Sequence, residues 1–338
     1  MLRRALAVAA ACTIVPVPRV ARADDDYLAR LAAAVRVQLD DAAAAHRVKL
    51  VPPVRVNLRW SPQKLGSVDL GAPIVAIAAA DLDGDGRAEI YLVTPREVVA
   101  VSVAGKAVRE LGRVAFTGEP AVPASRDVVG VAVVDGNAVV AAVSAWATEL
   151  RVEWRGKTLT GKPGAAGFRV CGDRLQLSPG RNHFREGDDA LFGARCSVDL
   201  TDAAGYPLRV RGELSAAGTL DITVARCDAD GAGCRPAGAY AIKDVGYAFE
   251  IADVERDGTP DAIVSSASAP GDGDAIRVIP LSGSTLGKPA AAKTFIGGVA
   301  GIAVADGDGD GVADVLAVVR LAGATRADLW RLYEPWPR

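Results

Sequence analysis

The chain has 338 residues, of which 50% are hydrophobic and 24% charged, so a disordered chain is excluded and either two domains or one large architecture fits the length. A formal charge of -2 with no lysine or arginine tract gives a nucleic-acid binder no electrostatic footprint. Only two histidines, His46 and His183, disfavour zinc sites and histidine-based proton transfer, while 36 glycines and 19 prolines point to a turn-rich, mostly β chain.

Residues 1–23 read as a secretory signal. Arg3 and Arg4 form a basic start, Ala5 to Val15 an apolar stretch, and Ala21-Arg22-Ala23 a cleavage pattern before Asp24. The apolar run ends at Pro16, far short of the roughly 20 residues of a membrane span, so no transmembrane segment is expected. Lipidation at Cys12 is the weaker alternative, because the box around it lacks a bulky first residue. The expected location is therefore secreted or periplasmic. Residues 24–53 follow as a helix and linker. Leu28, Leu31, Val35, Leu39 and Ala42 recur at helical spacing until Pro52-Pro53 forbids continuation. Such a helix packs on its own domain or docks to a partner.

From residue 54 to 338 short apolar runs alternate with glycine, proline and aspartate, the mark of an all-β sandwich, barrel or propeller. Repeats decide between them. Three segments align as strand, acidic loop, strand around Asp81–Glu89, Asp253–Asp261 and Asp306–Asp314, with weaker echoes at Asp135 and Asp199. The anchors at 81, 135, 199, 253 and 306 are about 54 residues apart, save one longer step that places an insertion near 165–190. Five units, each long enough for four strands, predict a five-bladed β-propeller, with six or seven blades as the alternatives. The tail after Asp306 has room for three strands only. The strand at Lys64–Leu70 is then expected to complete the last blade and close the ring.

The loops share the pattern D-x-[DE]-x-D-G-x-x-[DE]. Carboxylates at positions 1, 3 and 5 can converge, position 7 can add its carbonyl, position 9 closes the shell, and glycine at 6 permits the turn. The expected metal sets are Asp81, Asp83, Asp85, the Arg87 carbonyl and Glu89; Asp253, Glu255, Asp257, the Thr259 carbonyl and Asp261; and Asp306, Asp308, Asp310, the Val312 carbonyl and Asp314. Hard oxygen donors in this number suit Ca2+. Asp-Gly pairs also make plain turns, but several carboxylates within nine residues repel one another unless a cation lies among them. An EF-hand is disfavoured, since position 12 is Leu92, Val264 or Ala317 and strands flank the loops.

These three loops with their flanking apolar strands resemble FG-GAP/VCBS repeats, whose blades are similar to those of integrin α-chain propellers. The segments Asp135-Gly136-Asn137 and Asp199–Gly205 depart from the pattern and lack the full ligand set. The resemblance implies an exported, calcium-stabilised propeller that binds, adheres or displays.

Once Cys12 leaves with the signal, Cys171, Cys196, Cys227 and Cys234 remain, an even number that fits an oxidising compartment. Cys227 and Cys234 can meet across a hairpin, which leaves Cys171 with Cys196. No catalytic residues are identified. Ser282 and Ser284 lack a nucleophile elbow, His183 has no motif, and the carboxylate pairs are claimed by the loops. Trp60, Trp146, Trp154, Trp330 and Trp336 read as scattered packing rather than a sugar platform. The expectation is a calcium-binding module or scaffold at the cell envelope, with a protein or glycan partner and no nucleic acid. The alternative is a propeller-fold polysaccharide lyase or hydrolase.

Overall fold

The computed structural model describes residues 60–333, apart from 105–106, 119–127, 129, 144, 167, 171–172, 176–194, 216–217, 232, 267–272 and 322–323, together with Val35 and Arg36. The chain divides into two compact units, Met1–Val56 and Asn57–Arg338. In the first, Val35 and Arg36 are helical and exposed. The rest of the predicted helix, the signal segment, Cys12, both histidines and Trp336 lie outside the described residues.

The second unit is a five-bladed β-propeller. Blade one is β2 (Ala76–Ala80), β3 (Glu89–Val93), β4 (Glu97–Ala104) and β5 (Ala107–Ala115). Blade two is β6 (Gly130–Asp135), β7 (Ala138–Val143), β8 (Thr148–Arg155) and β9 (Thr158–Ala166). A short ribbon, β10 (Phe168–Val170) and β11 (Asp173–Leu175), precedes blade three, which is β12 (Arg195–Thr201), β13 (Pro207–Leu214), β14 (Leu220–Arg226) and β15 (Arg235–Ile242). Blade four is β16 (Val245–Ala252), β17 (Asp261–Ser266), β18 (Asp274–Pro280) and β19 (Ala291–Phe295). Blade five joins β20 (Gly298–Ala305), β21 (Asp314–Arg320) and β22 (Arg326–Tyr333) to β1 (Ser61–Asp69), in the order β1-β22-β21-β20. Every blade is a four-stranded antiparallel sheet.

The strand expected at Lys64–Leu70 does close the ring. β1 runs with Ser61 opposite Tyr333 and Asp69 opposite Arg326. Lys64 Nζ lies 2.7 Å from Asp328, and the Ser67 hydroxyl donates to the same carboxylate at 2.7 Å.

Middle strands packed between two neighbouring blades are apolar at consecutive positions, because both of their faces are covered. β3, β7 and most of β21 are buried throughout. Among the described residues four apolar clusters fill four of the five seams. Ile77, Leu92 and Val99 meet Leu316, Val318 and Leu329 between blades one and five. Tyr91 and Val98 meet Val139, Leu150 and Val152 between blades one and two. Leu208, Val210 and Ile222 meet Phe249, Ile251 and Val264 between blades three and four, and Ile263, Ile276 and Val278 meet Val299, Val315 and Ala317 between four and five. Each fully buried aliphatic chain contributes about 1.5–3 kcal/mol of hydrophobic stabilisation.

Blade three differs. Its strands alternate, with Leu208, Val210, Leu214, Leu220 and Ile222 buried while Arg211, Glu213, Asp221 and Thr223 are exposed. Among the described residues no apolar cluster joins blades two and three. The ribbon lies there instead, touching β6 and β7 on one side and β12 on the other.

One anchor of the sequence alignment needs correction. Asp199 lies inside β12, and the loop of blade three begins at Asp202. The disulfide Cys227–Cys234 is formed at the β14–β15 turn. Cys171, and with it a pairing to Cys196, lies outside the described residues.

Candidate metal centres

In every blade the candidate residues sit on the turn from the first strand to the second. That turn follows a strand with small or branched apolar residues and begins with an aspartate whose side chain can accept from the turn's own N–H groups, which is the physical reason aspartate starts such loops.

In the first loop Asp81 Oδ1 accepts from the N–H of Gly84 at 2.8 Å and of Asp85 at 3.1 Å, and Oδ2 accepts from Gly86 at 2.9 Å. Asp83 and Asp85 accept from the amides two residues on. Gly84 and Gly86 have φ of 80° and 89°, where a side chain would strain the backbone. The result is convergence: carboxylate oxygens of Asp81, Asp83, Asp85 and Glu89 lie within 4.8 Å of one another. The three aspartates are exposed and Glu89 is buried.

Glu89 is held by residues that the sequence did not single out. Its Oε2 accepts from the Leu82 N–H at 3.0 Å and from the Tyr91 hydroxyl at 3.2 Å. The Tyr91 oxygen in turn accepts from Trp154 Nε1 of blade two at 2.8 Å. Burial raises the Glu89 carboxyl above the ordinary range, opposed by the Leu82 N–H and reinforced by the charge of Asp83.

The fifth loop repeats this frame. Asp306 accepts from Gly309, Asp310 and Gly311, and Asp314 accepts from Gly307 at 3.1 Å. Oxygens of Asp306, Asp308 and Asp314 converge within 4.8 Å, but Asp310 is not part of the group. Here Arg331 enters from β22. Its Nη1 donates to Asp308 and, at 3.4 Å, to Asp314, and Nη2 donates to Gln63 at 3.0 Å. Burial pushes the Asp314 carboxyl up to about 7, against the pull of the Arg331 charge.

The fourth loop keeps the turn without the convergence. Asp253 accepts from Asp257 at 3.1 Å and from Gly258 at 2.8 Å, and Asp261 accepts from Val254 at 3.1 Å. Its four acids are not among the groups gathered to 4.8 Å. Burial pushes Asp261 up to about 8, with the charges of Glu255, Asp257 and Asp253 acting the same way.

The two degenerate loops use arginine instead. Arg151 on β8 lies 3.0 Å from Asp135, and Arg226 on β14 lies 2.9 Å from Asp202 while stacking over Tyr206 at 4.2 Å. The described tryptophans fall in two seams, Trp146 and Trp154 between blades one and two, and Trp60 and Trp330 between four and five. Trp146 stacks on Phe116 at 5.8 Å, Trp154 reaches Tyr91, and Trp330 meets Phe295 edge-on at 5.3 Å.

An all-oxygen donor set with three or four carboxylates fits a hard divalent cation, which would relieve the mutual repulsion and the cost of burying Glu89 or Asp314 ionised. Among the described residues no helix is long and apolar enough to cross a membrane.

No family model matches the chain, and no curated protein matches it in sequence. Solved structures similar to it include the following two. The PQQ-bound form of an aldose sugar dehydrogenase from Streptomyces coelicolor is 12% identical, with 82% of this chain and 99% of that one covered and a TM-score of 0.34. The SapL1 lectin in complex with alpha methyl fucoside is 13% identical, with 78% and 79% covered and a TM-score of 0.33.

Proposed function

We propose that the chain is an exported calcium-binding β-propeller that serves as a binding module or scaffold at the cell envelope, with a protein or glycan partner. The observation that carries the metal reading is the first loop, where Asp81, Asp83, Asp85 and Glu89 bring oxygens within 4.8 Å of one another. Carboxylates so close lower their repulsion by sharing a divalent cation, and calcium accepts six to eight oxygens in flexible geometry. The frame is pre-built: the N–H groups of Gly84, Asp85 and Gly86 fix Asp81, and Tyr91 and Leu82 fix Glu89. Bound there, calcium supplies charge neutralisation and ties the β2 end to the β3 start. The Cys227–Cys234 disulfide and the signal-like sequence of residues 1–23 support export into an oxidising compartment. The resemblance of the three acidic loops to FG-GAP/VCBS repeats supports a binding role.

The test is a calcium titration followed by calorimetry, comparing wild type with Asp83→Asn. Asp83 is exposed and its loss leaves the core intact. The reading expects wild type to bind calcium and the variant to lose the first-loop site. Heats that do not differ between the two would reject it.

A further inference from the structure

The third strand of each blade carries a residue beside the acidic loop, and its identity differs in a regular way. In blade five Arg331 lies opposite Leu316, the second residue after the closing Asp314. In blade two Arg151 lies opposite Val140, the second residue after the closing Ala138. In blade three Arg226 faces Leu208, one rung nearer the loop. All three guanidinium groups bond an aspartate of their own loop or at its edge. Blades one and four have Ala100 and Val278 at the rung that Arg331 occupies, and neither can neutralise a carboxylate.

We propose that Arg331 is the resident cation of the fifth loop, so that a divalent ion enters there only by displacing it, whereas the first loop has an alanine at that rung and takes the metal directly. The inference rests on the calcium reading of the acidic loops and adds the residue that selects among them. A guanidinium on Asp308 and Asp314 competes with a divalent ion, because it already neutralises these carboxylates and the two cations repel each other. Arg331 stacks over the Tyr333 ring at 4.4 Å. Its side chain is 12% exposed, and its Nε–H is buried with no hydrogen-bond partner among the described residues. A cavity of about 220 Å³, lined by Arg331 with Gln63, Asp308 and the apolar Leu65, Ile90 and Val103, lies beside the guanidinium between blades one and five.

The test counts calcium bound by the whole chain, with a chromophoric chelator as competitor, in wild type, Arg331→Met and Arg331→Lys. Removing the charge should add one equivalent of calcium, or tighten the fifth loop by about tenfold or more, the scale of one near-surface charge interaction. Arg331→Lys keeps a cation and should not gain. No gain in Arg331→Met, or an equal gain in both variants, overturns the proposal. If Arg331→Met folds only when calcium is added, the metal has replaced the arginine and the proposal is supported. If it folds in neither condition, Arg331→Gln, which keeps a hydrogen-bonding end, is judged by the same gain or lack of gain. A wild type that binds no calcium at the first loop would reject the proposed function. This inference is read from the difference between variants and fails separately.

Discussion

The main-chain N–H of Ala88 donates to the carbonyl of Asp306 at 2.9 Å, which joins the end of the first acidic loop to the start of the fifth across a blade seam. The contact continues at Gly309, where an added Cβ would lie 2.9 Å from Arg87 Cγ and 3.2 Å from the Gly86 carbonyl oxygen. The loops are therefore part of the seam as well as candidate ligand sets.

That packing ranks three alanine substitutions that share a left-handed backbone. At Gly86, φ is 89° and nothing lies within 4 Å, so Gly86→Ala carries only backbone strain of about 1 kcal/mol. Gly309→Ala adds the contact with Arg87 and Gly86, for about 2 kcal/mol in all. Gly258→Ala would place Cβ 2.0 Å from the Ala203 nitrogen, a main-chain clash that costs about 3 kcal/mol or more. Urea denaturation midpoints should fall in that order, and equal losses would contradict the packing.

Tyr91→Phe removes the hydroxyl that Glu89 accepts from, and leaves the ring in the core. Groups that orient a ligand typically change metal affinity by about 10-fold to 100-fold. The expected result is weaker calcium binding at the first loop with the fold retained, read by titration and by circular dichroism. Unchanged affinity would show that Glu89 needs no such support.

Glu250, on the strand that leads into the fourth loop, gives a pH signature of its own. It is partly buried on β16 between Phe249 and Ile251, and burial raises its carboxyl to about 7 against a bond from the Ile251 N–H. The folded state thus holds a proton that the unfolded chain releases near 4.5, so the Glu250 contribution to stability falls as pH rises from about 4.5 to 7 and then levels. Glu250→Gln removes that contribution. It should be more stable than wild type at pH 8, by up to a few kcal/mol, and nearly equal at pH 4.5. Midpoints measured at both pH values check this; a gain of the same size at both would contradict it.

Much of the ring is legible in the sequence because the acidic turn recurs at a fixed place in each blade and short apolar strands flank it. The closing strand is legible for a related reason: three strands after Asp306 leave one place unfilled, and β1 takes it. Asp199 misled because β12 alternates, so that one acid points off a strand three residues before the acid that opens the loop. Arg331 left no local signal. It lies 17 residues beyond Asp314, and only the antiparallel register of β21 and β22 brings the two together. Tyr91 and Trp154 were hidden similarly, since a donor 63 residues away is set by blade packing and not by spacing. The missing convergence at Asp253–Asp261 could not be read either, because the pattern fixes the turn and not where Glu255 and Asp257 aim.

The central claim is that the acidic loops hold calcium and that the ion braces the ring. A thermal melt of the oxidised chain, in calcium and in chelator, tests it most directly when run beside Asp83→Asn. The account predicts a clear rise in melting temperature with calcium for wild type and a smaller rise for the variant. Identical melting in calcium and chelator for wild type would mean that Asp81–Glu89 is only a turn, and the account would be wrong.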